Sequence, residues 1–456
     1  MPLQDIKICG YRGFASEQSM AFAIPNGTPG SGLTIITGSN NSGKSSILEC
    51  LRARTGYSSV SFTTGTRNSV QDEVVITYTI NGKREVLRSV SKGTSETIRD
   101  NAADELSLFV LPSRRAFDPY FGKSESDRRD YQSSYGLPPQ RASVLPNFSS
   151  RLFKIIKDPD RFNSELEKVL GFKPVWTIDQ NDQGSYFLKF IQKNASHSSD
   201  GMGEGIVSLF SIVDALYDSS PGEVVVIDEP ELSLHPALQK RLSRVFSEYS
   251  ADRQVVISTH SPYFVALEAL SDGAHLVRVV SNSTEGTQIF GLSEVSKESI
   301  KALSTSNMNN PHVLGLVARE IFFEEDGVIL TEGQEDVVFY PVVAEQIGAA
   351  IPGQLFGWGI GGASNMAMIS RILRDLGFRK VAGLLDQDKV EELPALKDEF
   401  PGYFFSAIPA KDIRTKKYRK AVGEIEGLLD ESRIIRPIYI EDTRKLFSEL
   451  SDFMTT

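Results

Sequence analysis

A chain of 456 residues exceeds what one ordinary hydrophobic core organises, so two domains are expected, one of them large. Apolar residues make up 40 % and charged residues 24 %, a globular balance that excludes a disordered or fibrous chain, and two separated cysteines, Cys9 and Cys50, exclude a disulfide framework or zinc ribbon within one chain. The formal charge of −10 argues against permanent nonspecific binding to nucleic acid, yet leaves room for a local basic groove or for bound cations that meet phosphates.

The N-terminus lacks the basic, apolar and small-residue regions of a signal peptide, and no apolar run approaches a membrane span, which predicts a cytoplasmic protein with no membrane partner. Alternation over Asp5 to Cys9 and Ser19 to Ile24 predicts hairpin strands, and the apolar run Leu33 to Thr37 predicts a buried strand. A Gly- and Asn-rich turn follows, then helical spacing over Ser45 to Leu51. Further strands are predicted at Val74 to Ile80, Leu106 to Leu111, Val224 to Asp228, Gln254 to Ser258 and Leu276 to Val280. Helices are predicted over Ser149 to Lys157, Asp160 to Leu170, Gly203 to Tyr217 and Pro236 to Glu248. The polar stretch Gly122 to Pro146 predicts a long exposed excursion.

A segment without hydrophobic period, Ser304 to Pro311, predicts the domain break, with a first domain over 1–305 and a second over 326–456. The second alternates: strand Val328 to Thr331, helix Glu335 to Gln346, a short strand, helix Ala363 to Leu376, strand Val381 to Leu385, strand Tyr403 to Ile408. Such alternation predicts a small parallel sheet.

Gly38-Ser39-Asn40-Asn41-Ser42-Gly43-Lys44-Ser45 fills every required position of a P-loop, between an apolar strand and a helix. Backbone N–H groups of the loop, with Ser46 opening the helix, are expected on the phosphates of ATP, with Lys44 on the β and γ phosphates and the Ser45 hydroxyl on Mg²⁺. Val224 to Asp228 is a buried-strand run ending in Asp228-Glu229-Pro230, a pattern that delivers Asp228 to magnesium and Glu229 to the attacking water. One strand later, Val255 to Thr259 ends at His260. Pro112-Ser113-Arg114-Arg115 either turns at the surface or places arginines near phosphate.

These residues resemble the ABC ATPase family, in the branch that contains the RecF and OLD (overcoming lysogenization defect) proteins, over most of Met1 to Leu270. By that resemblance Ile6 to Phe14 forms the first strand and adenine-side loop, Ser199-Asp200-Gly201-Met202-Gly203-Glu204 stands in the signature position, Glu231 to Pro236 forms the D-loop and His260 is the switch histidine. The signature departs from the usual Leu-Ser-Gly-Gly-Gln. The resemblance implies that Ser199 and Gly201 close over the ATP of a second subunit, so ATP holds a head-to-head homodimer or higher oligomer. Neither Gln132 nor Gln140 has the context that marks a Q-loop.

In the second domain, Glu332 ends one strand and is followed by Gly333 and Asp336, while Asp386-Gln387-Asp388 ends another. Carboxyl ends of parallel strands share an edge, so four carboxylates converge, and an oxygen-only set implies Mg²⁺ or Mn²⁺. The set resembles the Toprim domain, which implies Glu332 as general acid/base or metal ligand, Asp386 and Asp388 as metal ligands and Asp336 as a further acid of OLD nucleases. Missing zinc-module cysteines argue against a primase, and the lack of room for a tyrosine-bearing domain argues against a topoisomerase. Lys411, Arg414, Lys416, Lys417, Arg419 and Lys420 form a basic stretch, either a solvated helix face or a DNA contact; Lys411, Lys416 or Lys417 could face the leaving oxygen, and Glu424 or Glu426 could complete a second metal site.

An ABC-type head with a mixed sheet and P-loop core, followed by a Rossmann-like Toprim domain, is the OLD arrangement. It implies an ATP-controlled, metal-dependent DNA endonuclease or nickase in anti-phage defence. The competing expectations are an ATP-driven sensor or scaffold that needs a second defence protein for cleavage, and a plain ATPase with a C-terminal binding module.

Overall fold

The computed structural model describes residues 2–55, 62, 66–90, 96–102, 106–113, 122–125, 148–192, 195–198, 204–265, 267–305, 319–323, 326–416 and 425–455. Two compact units divide it, Met1–Gly291 and Leu292–Thr456. Most of the excursion read at Gly122 to Pro146 and most of the break at Ser304 to Pro311 lie outside the described residues.

In the first unit the chain runs β1 (Leu3–Cys9), β2 (Gln18–Ala21), β3 (Leu33–Thr37), α1 (Lys44–Arg52), β4 (Val75–Ile80), β5 (Lys83–Ser89), β6 (Thr97–Asp100) and β7 (Leu108–Leu111). It continues with α2 (Phe148–Ile155), α3 (Pro159–Leu170), β8 (Trp176–Gln180), β9 (Tyr186–Gln192), β10 (Ala195–Ser198), α4 (Glu204–Tyr217), β11 (Val224–Asp228), α5 (Pro236–Tyr249), β12 (Gln254–Ser258), α6 (Leu267–Ser271), β13 (His275–Asn282) and β14 (Gly286–Gly291).

These strands form an antiparallel sheet in the order β2-β1-β4-β5-β6, a small antiparallel sheet β10-β9-β8, and a central sheet β14-β13-β3-β12-β11-β7 in which only the β13–β14 pair is antiparallel. The fully buried runs of β3, β11 and β12 suit central parallel strands covered on both faces. The alternating burial of β4 suits a sheet with one face on the core. One apolar core contains Ile6 and Ile8 of β1, Ile76 and Tyr78 of β4, Ile47, Leu48 and Leu51 of α1, and Ile36, Val226 and Val256 of the central sheet. Gln254 holds the two sheets in register: its amide donates to the carbonyls of Leu3 and Ala23 and accepts from the Leu3 N–H, at 2.8–2.9 Å.

An aromatic cluster of Phe162, Trp176, Phe190 and Phe210 joins α3, β8, β9 and α4. Beside it the buried guanidinium of Arg151 on α2 meets Asp214 at 2.9 Å and Asp218 at 2.8 Å, both on the α4 side. The charge has been taken out of water and holds only as long as its carboxylates remain.

The second unit runs α7 (Glu294–Thr305), β15 (Val328–Thr331), α8 (Gln334–Ile347), β16 (Gln354–Leu355), α9 (Met366–Asp375), β17 (Val381–Leu385), α10 (Leu393–Glu399), β18 (Phe404–Ala407) and α11 (Ile440–Thr455). Its sheet, β16-β15-β17-β18, is parallel throughout. Tyr340, Val343 and Ile347 of α8 and Leu446, Phe447 and Leu450 of α11 share one core with Ile329, Ala382 and Leu384 of the strands. The two units divide after Gly291, and α7 is fastened to the second. The Asp375 carboxylate at the end of α9 accepts from the Ser293 N–H at 2.9 Å and the Ser296 hydroxyl at 2.6 Å, where α7 begins.

Removing the carboxylate of Asp214 strands the Arg151 charge, so Asp214→Ala should cost about 3–5 kcal/mol of folding stability. Asp218→Ala, whose carboxylate is partly solvated, should cost less. Denaturant unfolding of the two variants checks the order; equal midpoints for both and the parent would show that the buried pair contributes nothing.

Candidate functional site

The loop between β3 and α1 turns sharply at Gly43, whose φ of 112° is left-handed and whose missing Cβ would sit 2.8 Å from the Thr287 methyl. Asn41 is also left-handed, at φ 62°. Ser39, Asn40 and Asn41 face solvent, while Ser42 and Lys44 are buried. The Lys44 ammonium curls back onto the loop, donating to the Gly38 and Ser39 carbonyls at 2.9 Å each. Burial pulls its pKa down to about 8 against the opposing charges of Glu229, Asp228 and Glu231. Among the described residues, the buried Ser42 hydroxyl has no hydrogen-bond partner. Loop N–H groups at a helix N-terminus, a buried cation and an unsatisfied hydroxyl together fit the phosphates of a nucleotide. The half-buried Ser45 and the buried Ser46 begin α1 beside them.

Strand order places β12 between the strand that carries the P-loop and β11. Asp228 and Ser258 are register partners across β11 and β12, and the Ser258 hydroxyl donates to Asp228 Oδ1 at 2.8 Å. Glu229 follows in a left-handed conformation, φ 44°, held by its N–H on the Ser258 carbonyl at 2.8 Å. Such strain in a residue that is not glycine persists only where surrounding structure enforces it, and it gathers at functional sites. His260 Nε2 lies 3.9 Å from Glu229 Oε1. Burial and then the Lys44 charge lower the His260 pKa, so near neutral pH the imidazole is uncharged and can share a proton with Glu229 or a water between them.

The sequence assigned Glu231 only to a loop, yet it braces the site. Its carboxylate accepts from Thr259 Oγ1 at 2.8 Å and from the His260 N–H at 2.5 Å, fixing the end of β12. His235 caps α5 through Nδ1, which accepts from the Ala237 N–H at 3.2 Å. Arg12, in the loop read as adenine-side, pairs with Glu49 of α1 at 2.8 Å, and Tyr11 donates to the same carboxylate. Ser199 and Gly201 lie outside the described residues, as do Arg114, Arg115, Gln132 and Gln140. Glu204, the last residue of the stretch read as the signature and the first of α4, accepts from the Ser233 hydroxyl at 3.2 Å.

In the second unit the chain leaves β15 to form β16 on one side and later β17 on the other. The carboxyl ends of β15 and β17 therefore flank a topological switch point, where open parallel sheets bind ligands. Glu332 and Asp386 follow those two strands, and Glu332 Oε1 accepts from the Asp386 N–H at 2.8 Å. Asp336 opens α8 and accepts from the Gly333 N–H at 2.8 Å. Burial, followed by the charges of Asp336, Glu332, Asp412 and Asp388, pushes Asp386 up to about 8. Burial likewise pushes Asp336 up to about 7, with Glu332 and Asp412 adding to it. Glu332 is raised by burial and by Asp388.

Asp412, beyond β18, is a carboxylate that the sequence reading did not single out. It is only 6 % exposed, and Lys416 pairs with it and with Glu335. Arg414 also pairs with Glu335, at 2.5 Å. Asp388 is more exposed and faces Lys389 at 3.6 Å. Glu426 pairs with Arg436 at 3.2 Å, which places it in an ion pair instead of with the acids; Lys411 is exposed, and Lys417, Arg419, Lys420 and Glu424 lie outside the described residues. Among the described residues, Asp386 Oδ1 is buried without a hydrogen-bond partner. An all-carboxylate set with one unsatisfied buried oxygen fits a hard divalent cation. Among the described residues, however, no three His, Cys, Asp or Glu side chains are arranged to hold a metal as they stand. Glu332 and Asp336 each accept a backbone N–H on one carboxylate oxygen.

Residues 33–266, more than half of the chain, match the family described as "AAA domain, putative AbiEii toxin, Type IV TA system". The chain belongs to this AAA-domain family. Its AAA domain thus spans the P-loop, Asp228, Glu229 and His260, and the protein is an ATPase. No curated protein sequence matches the chain. Among solved structures, an SMC head bound to the C-winged helix domain of ScpA aligns with 13 % identity and a TM-score of 0.43, over 64 % of this chain and 98 % of that one. The SMC head domain from Thermotoga maritima aligns with 15 % identity and a TM-score of 0.36, over 64 % and 100 %. An Smc head with an extended coiled coil, bound to the C-terminal domain of ScpA derived from Pyrococcus furiosus, gives 13 %, 0.42, 66 % and 98 %. Among the described residues no helix is long and apolar enough to cross a membrane.

The raised values of Asp386 and Asp336 carry a sign. A carboxyl whose folded pKa lies above its unfolded one stabilises the fold at low pH, and that stability is lost as pH rises through the folded value. In EDTA the unfolding temperature should therefore fall between about pH 5 and about pH 9, and Asp386→Asn should flatten the fall. Calorimetry at the two pH values tests this; a fall of the same size in parent and variant would contradict the buried-acid geometry.

Proposed function

We propose that the chain is an ATP-controlled, metal-dependent nuclease: an ABC-type head within the AAA-domain family, joined to a Toprim-type domain in the OLD arrangement. The observation that carries the nuclease half is the gathering of Glu332, Asp336, Asp386 and Asp412 at the switch point of a parallel sheet, with Asp386 Oδ1 buried and unsatisfied among the described residues. Burial first and then the neighbouring carboxylates push Asp386 and Asp336 toward protonation, and such acids are suited to exchange their protons for a cation.

In the head, the P-loop N–H groups and Lys44 bind the phosphates of ATP, Ser45 and Asp228 hold Mg²⁺, and Glu229 takes the proton of the attacking water with His260 beside it. Ser199 and Gly201 close over the nucleotide of a second subunit, so ATP brings two heads together. In the second unit Asp386, Asp388, Glu332 and Asp336 hold Mg²⁺ or Mn²⁺, which supplies charge neutralisation at a phosphodiester of DNA. Lys416 or Lys411 faces the departing oxygen, and Glu332, with its raised pKa, accepts or returns a proton. A role in anti-phage defence in the cytoplasm is part of this reading; the matching family's description names a putative toxin.

One observation favours a second reading. Since among the described residues no three acids are arranged for a metal as they stand, the chain could instead act as an ATP-driven sensor or scaffold whose acids are set only by a partner, such as a second defence protein.

Glu229→Gln should bind ATP normally and hydrolyse it roughly 100-fold more slowly or worse. Asp386→Ala and Glu332→Ala should abolish cleavage of DNA in Mg²⁺ or Mn²⁺ and leave ATP turnover intact. Nuclease and phosphate-release assays on the same preparations decide between the readings. Cleavage retained in the double variant removes the nuclease site, and ATPase-active parent protein that never cuts alone favours the scaffold.

A further inference from the structure

Thr287 fills the space between two loops of the first unit, the P-loop and the loop over residues 10–14. It is the second residue of β14 and pairs with Ser281 of β13, which in turn pairs with β3, the strand that delivers the P-loop. Its side chain is almost completely buried, and its two branches fall on two glycines. A Cβ on Gly13 would stand 2.3 Å from Thr287 Oγ1, and one on Gly43, which caps α1, would stand 2.8 Å from Thr287 Cγ2. The Thr287 N–H also donates to the Gly13 carbonyl at 2.8 Å. At the opposite end of the P-loop, a Cβ on Gly38 would stand 2.2 Å from the Val279 carbonyl oxygen of β13. Both ends of the P-loop therefore rest on the β13–β14 hairpin without clearance.

The loop over residues 10–14 is equally constrained. Arg12, left-handed at φ 47°, donates its N–H to the Thr66 carbonyl at 2.6 Å, and its own carbonyl accepts from the Asn68 side-chain amide at 2.6 Å. Its guanidinium pairs with Glu49 and reaches Ser46 Oγ at 3.5 Å, both on α1. A β-branched side chain has few χ1 rotamers, so the two branches of Thr287 form a stiff wedge between these loops. In a close-packed interior such contacts fix a separation, because neither side has room to give. Asp228, Glu229 and His260 follow β11 and β12, which lie across β3 from β13. The wedge is thus placed to act on the nucleotide's binding loops and away from the groups that act on water.

Resting on the reading of these loops as the nucleotide site, we propose that Thr287 is a positioning residue for ATP: its two branches hold the P-loop and the Arg12 loop at one separation and so set nucleotide affinity, not the rate of hydrolysis.

Phosphate release and the fluorescence of methylanthraniloyl-ADP, measured on parent and variants, test this. Thr287→Ala should raise the KM for ATP and the Kd of the analogue roughly 10-fold and leave kcat within about 2-fold. Thr287→Val keeps both branches and should restore most of the affinity. A residue that only supported the fold would instead lower the active fraction, and with it the apparent kcat, at unchanged KM. Gly13→Ala drives a methyl into Thr287 Oγ1 and should also weaken binding, and adding Thr287→Ala to it should recover part of the loss. If Thr287→Ala fails to fold, Thr287→Ser, which loses only the methyl against Gly43, should raise KM by a smaller factor of the same kind. Parent KM in the folded variant, a fall in kcat alone, or Thr287→Val as weak as Thr287→Ala would overturn the proposal. Parent affinity for the analogue in Lys44→Ala would overturn the nucleotide-site reading itself, and the proposal with it.

Discussion

Parallel strands that begin on one edge of a sheet must end on the opposite edge together, and the side chains that follow them are forced into company whatever their charge. In the first unit this brings Asp228, Glu229 and His260 to the edge where the P-loop leaves β3. In the second it brings Glu332 and Asp386 to adjacent strand ends, with Asp412 following the next. Chain topology therefore concentrates charge before any ligand is present, and each unit deals with that charge differently.

The first unit includes its own counter-charge. Lys44 faces Glu229, Asp228 and Glu231, and it remains charged at the expense of a lowered pKa. Neutral hydrogen bonds do the rest, with Ser258 on Asp228 and Thr259 on Glu231. The second unit keeps its cations at the margin: Lys416 and Arg414 are drawn to Asp412 and Glu335, and Lys389 to Asp388. Asp386 and Asp336 are left to hold protons, with values near 8 and 7. A site that stabilises its acids by protonation near neutral pH has its strongest affinity for whatever can replace those protons.

The sequence made the parallel cores legible because their strands are continuous apolar runs that end in charged residues. Val224 to Asp228, Gln254 to Ser258, Val328 to Thr331 and Val381 to Leu385 lie where the pattern put them. The antiparallel parts were harder. Strands β5 and β6 and the sheet β10-β9-β8 were not read: β5 and β6 are partly exposed and rich in charged residues, and β8 and β10 are short and largely polar, although the apolar run of β9, Tyr186 to Ile191, was a signal that could have found it. Asn81-Gly82, both at positive φ, was the hairpin signal that could have exposed β5. Helix α11 also escaped notice, although Leu446, Phe447, Leu450 and Met454 recur at helical spacing along its buried face. Asp412 and Glu231 were missed as site residues for a different reason: each acts through a fold-dependent neighbour, and no spacing in the chain marks that.

The central claim is that the acidic edge of the second unit takes up a divalent cation in exchange for its protons. Titration of nucleotide-free protein with Mn²⁺, followed by electron paramagnetic resonance together with proton release into a weak buffer near pH 7, reads both events at once. The account predicts a bound-manganese signal without nucleotide, accompanied by proton release, unaffected by Lys44→Ala and lost in Asp386→Asn. Manganese that stays free until ATP is added, or that binds Asp386→Asn as well as the parent, would contradict it.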